Sequence, residues 1–232
     1  MPTNPLEGPK LKIERTKRHI DELESAIEVY GATKPCIGTT GIDPKTGWDR
    51  ICIEPPKIIP ANLSVIAGDA LHNLRSGLDQ LACRLAEQSG ATITKDVYFP
   101  FGRDRDRFEA SAKEKIRKLS PAAQRFICDL KPYKGGNDLL WSIHSLNLMD
   151  KHNLLVPMGG VSNINMRFVS AKEQIENGVS PSKAQDHHQV DYTLIVAFRD
   201  IESLKLQSVL TTLNQFCDLV TEIISLAERR FF

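Results

Sequence analysis

The stretch that decides the fold is ANLSVIAGDALHNLRSGLDQLACRLAE, residues 61–87 of a chain of 232 residues. Its apolar residues recur every three or four positions, which predicts a long amphipathic helix that buries one face in a core. The residues of this seam are Leu63, Ala67, Leu71, Leu74, Leu78, Leu81 and Leu85. Pro60 and Gly90 are expected to delimit the helix, because proline favours a first helical turn and glycine favours a helix end.

Patterns outside this stretch predict a domain of the α+β class. Amphipathic periodicity predicts further helices at about 11–30, 105–118, 121–130, 139–153 and 204–230. Runs of β-prone residues predict a hairpin at about 36–40 and 49–54, and a second strand pair at about 161–169 and 189–198. The polar stretch 172–188 between the last two strands is expected to be a mobile loop.

We therefore expect a single α+β domain over residues 1–232, in which a mainly helical bundle packs against a small antiparallel β-sheet built from both strand pairs. Its helical core would span about 61–155, its strands about 36–54 and 161–198, and its C-terminal helix about 204–230. A chain of this length can bury a core without the help of disulfides or metals.

Composition excludes several functional classes. Lys and Arg number 30 against 29 Asp and Glu, which argues against a strongly basic nucleic-acid surface. Five scattered cysteines without a CxxC pair are typical of a reducing compartment. The N-terminus has no apolar signal core and no stretch reaches the length of a membrane helix, so we expect a cytoplasmic protein that does not bind membranes.

The long helix carries polar residues on a face that does not resemble ordinary solvated surface. His72, Arg75 and Asp79 share this face, which contains no Lys or Glu. Four small residues lie on the same face and would let another helix or a ligand approach closely. They are Gly68, Ser76, Cys83 and Ala86.

A second polar group lies in HSLNLMDKHNLL, residues 144–155. Asn147 and Asp150 project from the apolar face of this predicted helix, where a carboxylate without a partner would cost several kcal/mol. An arginine or histidine on a neighbouring helix would compensate it, and Arg75 and His72 are the candidates. His144 and Lys151 border this cluster, whereas His152 lies nearer the far side of the helix.

The candidate catalytic residues are His72, Arg75, Asp79, Asp150 and His152, and the candidate substrate-binding residues are Asn147, Lys151 and His144. In this hypothesis Arg75 and Lys151 bind an anionic group such as a phosphate, and His72 acts as acid or base with Asp79 or Asp150 orienting it. No phosphate loop, nucleophile elbow, HExxH or CxxC signature is present, and we expect no metal and no cofactor. The alternative is that the same residues form a structural network that sets the register of two helices.

A basic run, RDRDR at 103–107, is interpreted as the solvated start of a helix. As a phosphate-binding patch it would need further basic residues folded nearby. The candidates for that role are Lys113, Lys115, Arg117 and Lys118.

Four stretches together carry a resemblance to a known family: GDALHNLRSGLDQLACRLA, FPF at 99–101, LKPY at 130–133 and SLNLMDKHNLL. They resemble a bacterial family whose members share a D-x-L-H-N-L-R-S-x-L-D-H-L helix and a later L-x-x-x-D-K-H-R segment. The resemblance spans about residues 61–157. It implies a bacterial or phage protein, and no activity is attached to the family.

The Arg-x4-His spacing of that family's helix is similar to the motif of HEPN-type ribonucleases. These are small, often dimeric helical proteins of toxin–antitoxin and phage-defence systems, whose Arg and His act on RNA without a metal. The resemblance assigns the arginine to Arg75, whereas Gln80 stands at the histidine position and Asn153 at the arginine after Asp-Lys-His. It implies RNA or another phosphate-bearing ligand as partner, with His72 or His152 transferring the proton.

Two functions from different classes follow. The first is a metal-independent, HEPN-like ribonuclease of the defence or toxin kind. The second is a non-catalytic interaction module that forms a homodimer through the small-residue face or through the C-terminal helix.

Overall fold

A computed structural model of the chain describes residues 4–42, 44–47, 49–152, 155, 157–184, 187–198 and 207–232. Its helices are α1 (Glu7–Ala32), α2 (Ala61–Gln88), α3 (Arg105–Lys115), α4 (Pro121–Asp129), α5 (Asp138–His152), α6 (Ala171–Glu176) and α7 (Val209–Phe231). Its strands are β1 (Ile37–Ile42), β2 (Asp49–Glu54), β3 (Pro157–Val169) and β4 (His187–Phe198). This confirms the α+β class, a mainly helical bundle with a small antiparallel β component.

Helix α2 forms the centre of the bundle and packs against α1, α5 and α7. Its leucine seam is the predicted one, and Leu71, Leu74 and Leu78 have no exposed surface. Burying a leucine completely stabilises a fold by about 1.5–3 kcal/mol. The seam therefore supplies much of the driving force that holds the helices around α2.

Both predicted strand pairs form antiparallel ribbons. In the first, Ile37 lies opposite Glu54 and Ile42 opposite Asp49. In the part of the chain that the structure describes, the ribbons do not join into one sheet built from both pairs. Strand β3 packs instead against the segment that follows β2, since a Cβ at Gly159 would come within 2.8 Å of the Pro56 ring.

Several boundaries differ from the predictions for local reasons. Helix α1 begins at Glu7 rather than near residue 11, since the buried Leu6 anchors its start and the Asn4 side chain accepts from the Leu6 backbone N–H. The stretch 172–188 was expected to be a loop throughout, and this is corrected by α6, whose N-terminus is capped by Ser170. Residues Asn153 and 204–206, included in two predicted helices, lie outside the described residues.

None of the described helices is both long enough and apolar enough to cross a membrane. The C-terminal helix α7 shows why, because its buried residues lie on the face toward α1 and α2 and polar residues such as Asn214, Asp218 and Glu222 are exposed. Its N-terminus is capped by Ser208, whose hydroxyl accepts from the Thr211 backbone N–H.

Candidate functional site

The polar residues singled out on α2 and α5 lie on two helices that pack side by side. They divide into two groups at different levels of α2. The closed cluster comprises Arg75, Asp79, Phe99, Phe101 and His144. The open cluster comprises Gly68, Asp69, His72 and Asp150.

Arg75 is the centre of the closed cluster, and only 9% of the residue is exposed. Its Nη1 lies 2.5 Å from Oδ1 of Asp79, and its Nη2 donates to the Phe99 carbonyl at 3.0 Å. Its guanidinium carbon stands 4.7 Å from the centre of the Phe101 ring. All of these contacts come from the chain itself, so the guanidinium already has its hydrogen-bond and charge partners within the fold.

Asp79 completes this clamp, since its Oδ1 also accepts from the Phe99 backbone N–H at 3.0 Å. The pair thereby ties the segment around Phe99 to α2 through both the N–H and the carbonyl of one residue. Burial lowers the pKa of Arg75, whereas the Asp79 charge raises it. An arginine remains protonated in proteins, so the result is a buried charge held by a partner one helical turn away.

His144 of α5 forms the outer layer of the closed cluster. Its ring stacks on Phe101 with centroids 4.6 Å apart and planes 8° apart, and Trp141 lies 5.4 Å away. Burial is the main cause that lowers the pKa of His144 to about 3, followed by the charge of Arg75. The imidazole is therefore neutral near pH 7 and acts as an aromatic layer rather than as a phosphate-binding cation.

The open cluster forms where α5 crosses the N-terminal half of α2. A Cβ at Gly68 would overlap the carboxylate of Asp150, so a larger residue at this position would displace that carboxylate. Burial raises the pKa of Asp150, the charge of Asp69 raises it further, and His72 lowers it. His72 is exposed, and its Nε2 lies 3.4 Å from the Ser76 hydroxyl. The open cluster is therefore accessible to solvent at His72.

The sequence predicted Arg75 or His72 as the partner of Asp150. In the structure these two residues have different partners. Arg75 pairs with Asp79 of its own helix, while His72 lies close enough to Asp150 to lower the pKa of that carboxyl group. The i,i+4 spacing of Arg75 and Asp79 is a signal for such a pair that the sequence already carries. The sequence did not predict that Phe99 and Phe101 contact Arg75, because no local pattern indicates where their segment packs.

The remaining candidates lie along α5 with differing exposure. Asn147 is buried, whereas Lys151 and His152 are exposed at the end of the helix. The charge of Lys151 contributes to the lowered pKa of His144. Arg75 points inward to Asp79 while Lys151 is exposed, so the two cations predicted to bind one anion do not face a common open space.

Three of the four small residues of α2 are covered by the chain itself. Asp150 of α5 occupies the space above Gly68, as predicted for a close helix approach. The Cys83 thiol donates to the Val97 carbonyl at 3.7 Å, and Ala86 is fully buried. Ser76, the fourth small residue, lies beside the exposed His72 instead.

Across the described ranges, no three His, Cys, Asp or Glu side chains come together in a way that could hold a metal ion. Comparison of the chain with protein families, with curated proteins and with solved structures finds no match. The similarity to HEPN-type ribonucleases remains a prediction from the sequence.

Proposed function

We propose that the chain is a non-catalytic interaction module that forms a homodimer in the cytoplasm, with the Arg75 network as part of its framework. The observation that carries this proposal is the state of the Arg75 guanidinium, which is buried and bonded to Asp79 and Phe99. An arginine that stabilises a reacting phosphate must aim free donors at it. Here a substrate would first have to break an internal ion pair.

The ribbon β1–β2 supplies the surface for dimerisation. Its two strands contact mainly each other rather than the bundle, and an isolated two-stranded hairpin is marginally stable in water. Ile37 and Ile42 of β1 are exposed by 57% and 71%, and Ile58 just beyond the ribbon by 81%. Among the described residues β1 pairs with β2 alone, and exposed isoleucines on a strand with a free edge favour pairing with another chain.

A second copy is the partner that best fits this edge. Strand β1 has the sequence IGTTGI, without a charge, whereas β2 contains Asp49, Arg50 and Glu54. Two copies of β1 can pair antiparallel about a two-fold axis without placing like charges opposite each other. In that arrangement Ile37 of each copy would lie near Ile42 of the other.

The cysteines of the chain support the proposed location in the cytoplasm. Cys36, Cys52, Cys83, Cys128 and Cys217 are free thiols, which supports a reducing compartment such as the cytoplasm.

Sedimentation of the full chain over a range of concentrations tests the proposal. We expect a dimer, and we expect the double variant Ile37→Lys/Ile42→Lys to be monomeric because it places lysines opposite each other across the β1 pair. Val29→Lys is the matched control, since Val29 is exposed by 72% on α1 but lies outside the strand. A monomeric parent protein, or a double variant that still dimerises, contradicts the proposal.

A metal-independent, HEPN-like ribonuclease of the defence or toxin kind is the second candidate, and the open cluster favours it. His72 is exposed beside Asp150, a carboxyl group whose pKa is raised by burial. In this function His72 would take the 2′-hydroxyl proton of an RNA, Asp150 would orient it, and Lys151 would bind the phosphate.

Cleavage of a labelled single-stranded RNA in the presence of EDTA distinguishes the two functions. If the chain is a ribonuclease, the parent protein cleaves the RNA and the His72→Gln variant does not. The parent protein and the variant then unfold at the same temperature. If it is an interaction module, the parent protein neither cleaves RNA nor slows growth when expressed. Arg75→Ala then lowers stability without changing any activity.

A further inference from the structure

A cleft of about 660 Å³ lies between α3 and α4, and neither polar cluster contributes to it. Its apolar wall comes from α3 and the residue that follows it. Phe108, Ala112 and Ile116 form this wall and are almost completely buried. Tyr133 borders the same space, with its ring centre 5.5 Å from that of Phe108. Small-molecule sites in proteins are clefts of about 300–1,000 Å³ with apolar and aromatic walls, and this cleft falls in that class.

The rim of the cleft carries an excess of positive charge. Arg105 pairs with Glu109 at 2.8 Å, so these two charges compensate each other. Lys113 and Lys131 also line the cleft, and neither has a carboxylate within ion-pair distance among the described residues. Asp129 is the remaining acidic lining residue. Two uncompensated lysines against one aspartate favour an anionic ligand.

Lys131 occupies a backbone conformation that usually belongs to glycine. Its φ of 50° is left-handed, and its carbonyl accepts from the Tyr133 and Asn137 N–H groups at 2.7 and 2.8 Å. A lysine is thus held at the point where the chain turns from α4 toward Tyr133. Lys34 has the same conformation after α1, outside the cleft, and provides a matched comparison.

We propose that this cleft binds a small molecule that combines an aromatic ring with an anionic group. The ring packs against the wall formed by Phe108 and Tyr133, and the anion lies near Lys113 and Lys131. The proposal does not rest on the dimer or on ribonuclease activity, because no residue of the cleft takes part in either.

Two dyes of nearly the same shape test the chemistry of the ligand. The probe is 8-anilinonaphthalene-1-sulfonate, and its uncharged counterpart is N-phenyl-1-naphthylamine, which lacks the sulfonate. We expect the folded chain to bind the sulfonate dye at least about tenfold more tightly than the uncharged dye. Equal binding of the two dyes, or no binding of either, overturns the proposal.

Cysteine footprinting locates the binding. Cys128 is exposed and lines the cleft, while Cys52 is exposed on β2. We expect the sulfonate dye to slow alkylation of Cys128 by N-ethylmaleimide and to leave Cys52 unchanged, as read by mass spectrometry of the two peptides. Equal effects on both cysteines, or none on Cys128, mean that the dye binds elsewhere and overturn the assignment.

Two variants separate charge from shape. Lys113→Gln/Lys131→Gly is expected to weaken binding of the sulfonate dye at least about tenfold, whereas Lys34→Gly leaves it unchanged. Ala112→Phe fills the wall and should abolish binding. Should Ala112→Phe fail to fold, the lysine variant still decides the question, since its residues are exposed. Unchanged affinity in the lysine variant contradicts the proposal.

Discussion

His72 and Arg75 lie three residues apart on α2, yet one belongs to an open cluster and the other to a closed one. His72 is exposed and acts on Asp150, a group with a raised pKa, whereas Arg75 is buried between Asp79 and the segment around Phe99. The difference shows that polar residues on one helix face need not form one site. Which of them can react depends on the segment that covers each, and the covering segments come from distant parts of the chain.

Removing the Arg75 side chain should have the largest effect on stability. Arg75→Ala leaves the Phe99 carbonyl and the Asp79 carboxylate without their partner, and we expect a loss of about 3–4 kcal/mol in the free energy of unfolding. The control is Arg84→Ala on the same helix, whose exposed pair with Glu87 should contribute less than about 0.5 kcal/mol. Urea denaturation measures both. Similar losses in the two variants would show that the cluster around Arg75 is not closed.

Acid should destabilise the closed cluster through His144. Its pKa is lowered from 6.5 to about 3 in the folded chain, so the unfolded chain takes up the proton first. Stability is therefore present above about pH 6.5 and is lost as the pH falls toward 3. His144→Phe keeps an aromatic ring on Phe101 without a titrating group, and its unfolding free energy should fall less over this pH window. An equally steep acid loss in that variant would contradict the assignment.

Substitution of Gly68 tests how closely α5 approaches α2 at the open cluster. Gly68→Ala places a Cβ against the Asp150 carboxylate, and we expect a loss of about 1–2 kcal/mol. With Asp150→Ala the overlap disappears, and the alanine should then stabilise the helix by up to about 1 kcal/mol. Gly77→Ala is the control, because its nearest neighbour would lie at an ordinary 3.5 Å. An unchanged cost of Gly68→Ala with and without Asp150 would rule out the contact.

The smallest expected effect is on the titration of Asp150, measured by NMR of its carboxyl carbon. Its pKa is raised by burial and by Asp69 and lowered by His72. Asp69→Asn should therefore lower the pKa, and His72→Gln should raise it. Because the folded pKa lies above the unfolded one, this group loses stabilising effect as the pH rises through the folded pKa, opposite in sign to His144. Shifts of the opposite sign would show that Asp69 and His72 do not act on Asp150 in the way that defines the open cluster.

Much of the fold could be predicted from local pattern. The sequence predicted the leucine seam of α2 and the apolar face of α5, which carries Leu140, Ile143 and Leu146. Both could be predicted because helical periodicity places core residues three or four positions apart. The first hairpin was predicted from two β-prone runs on either side of a turn, and the second strand pair from β-prone runs alone. The presence of α6 in the stretch 172–188 was missed, because a helix of this length has too few residues for a periodic signal.

The candidate site was predicted less completely. Its polar residues were found on the correct helices, and the close approach of another helix at Gly68 was expected. The partners of these polar residues were not predicted. The local sequence around Phe99 and Phe101 indicates a loop, and these residues contact Arg75 across 24 and 26 positions of the chain. The expected group of Arg75 and Lys151 around one anion does not form, because Arg75 is satisfied within its own helix.

The amino-acid sequence by itself determined the helices, the strand pairs and the face of α2 on which polar groups lie, because hydrophobic periodicity and turn chemistry act between near neighbours. Only the tertiary structure decided that this face divides into a sealed part at Arg75 and a solvated part at His72. The physical reason is that burial and charge compensation depend on which distant segment covers a side chain. Packing of the α5 helix and of the Phe99 segment against α2 sets that outcome.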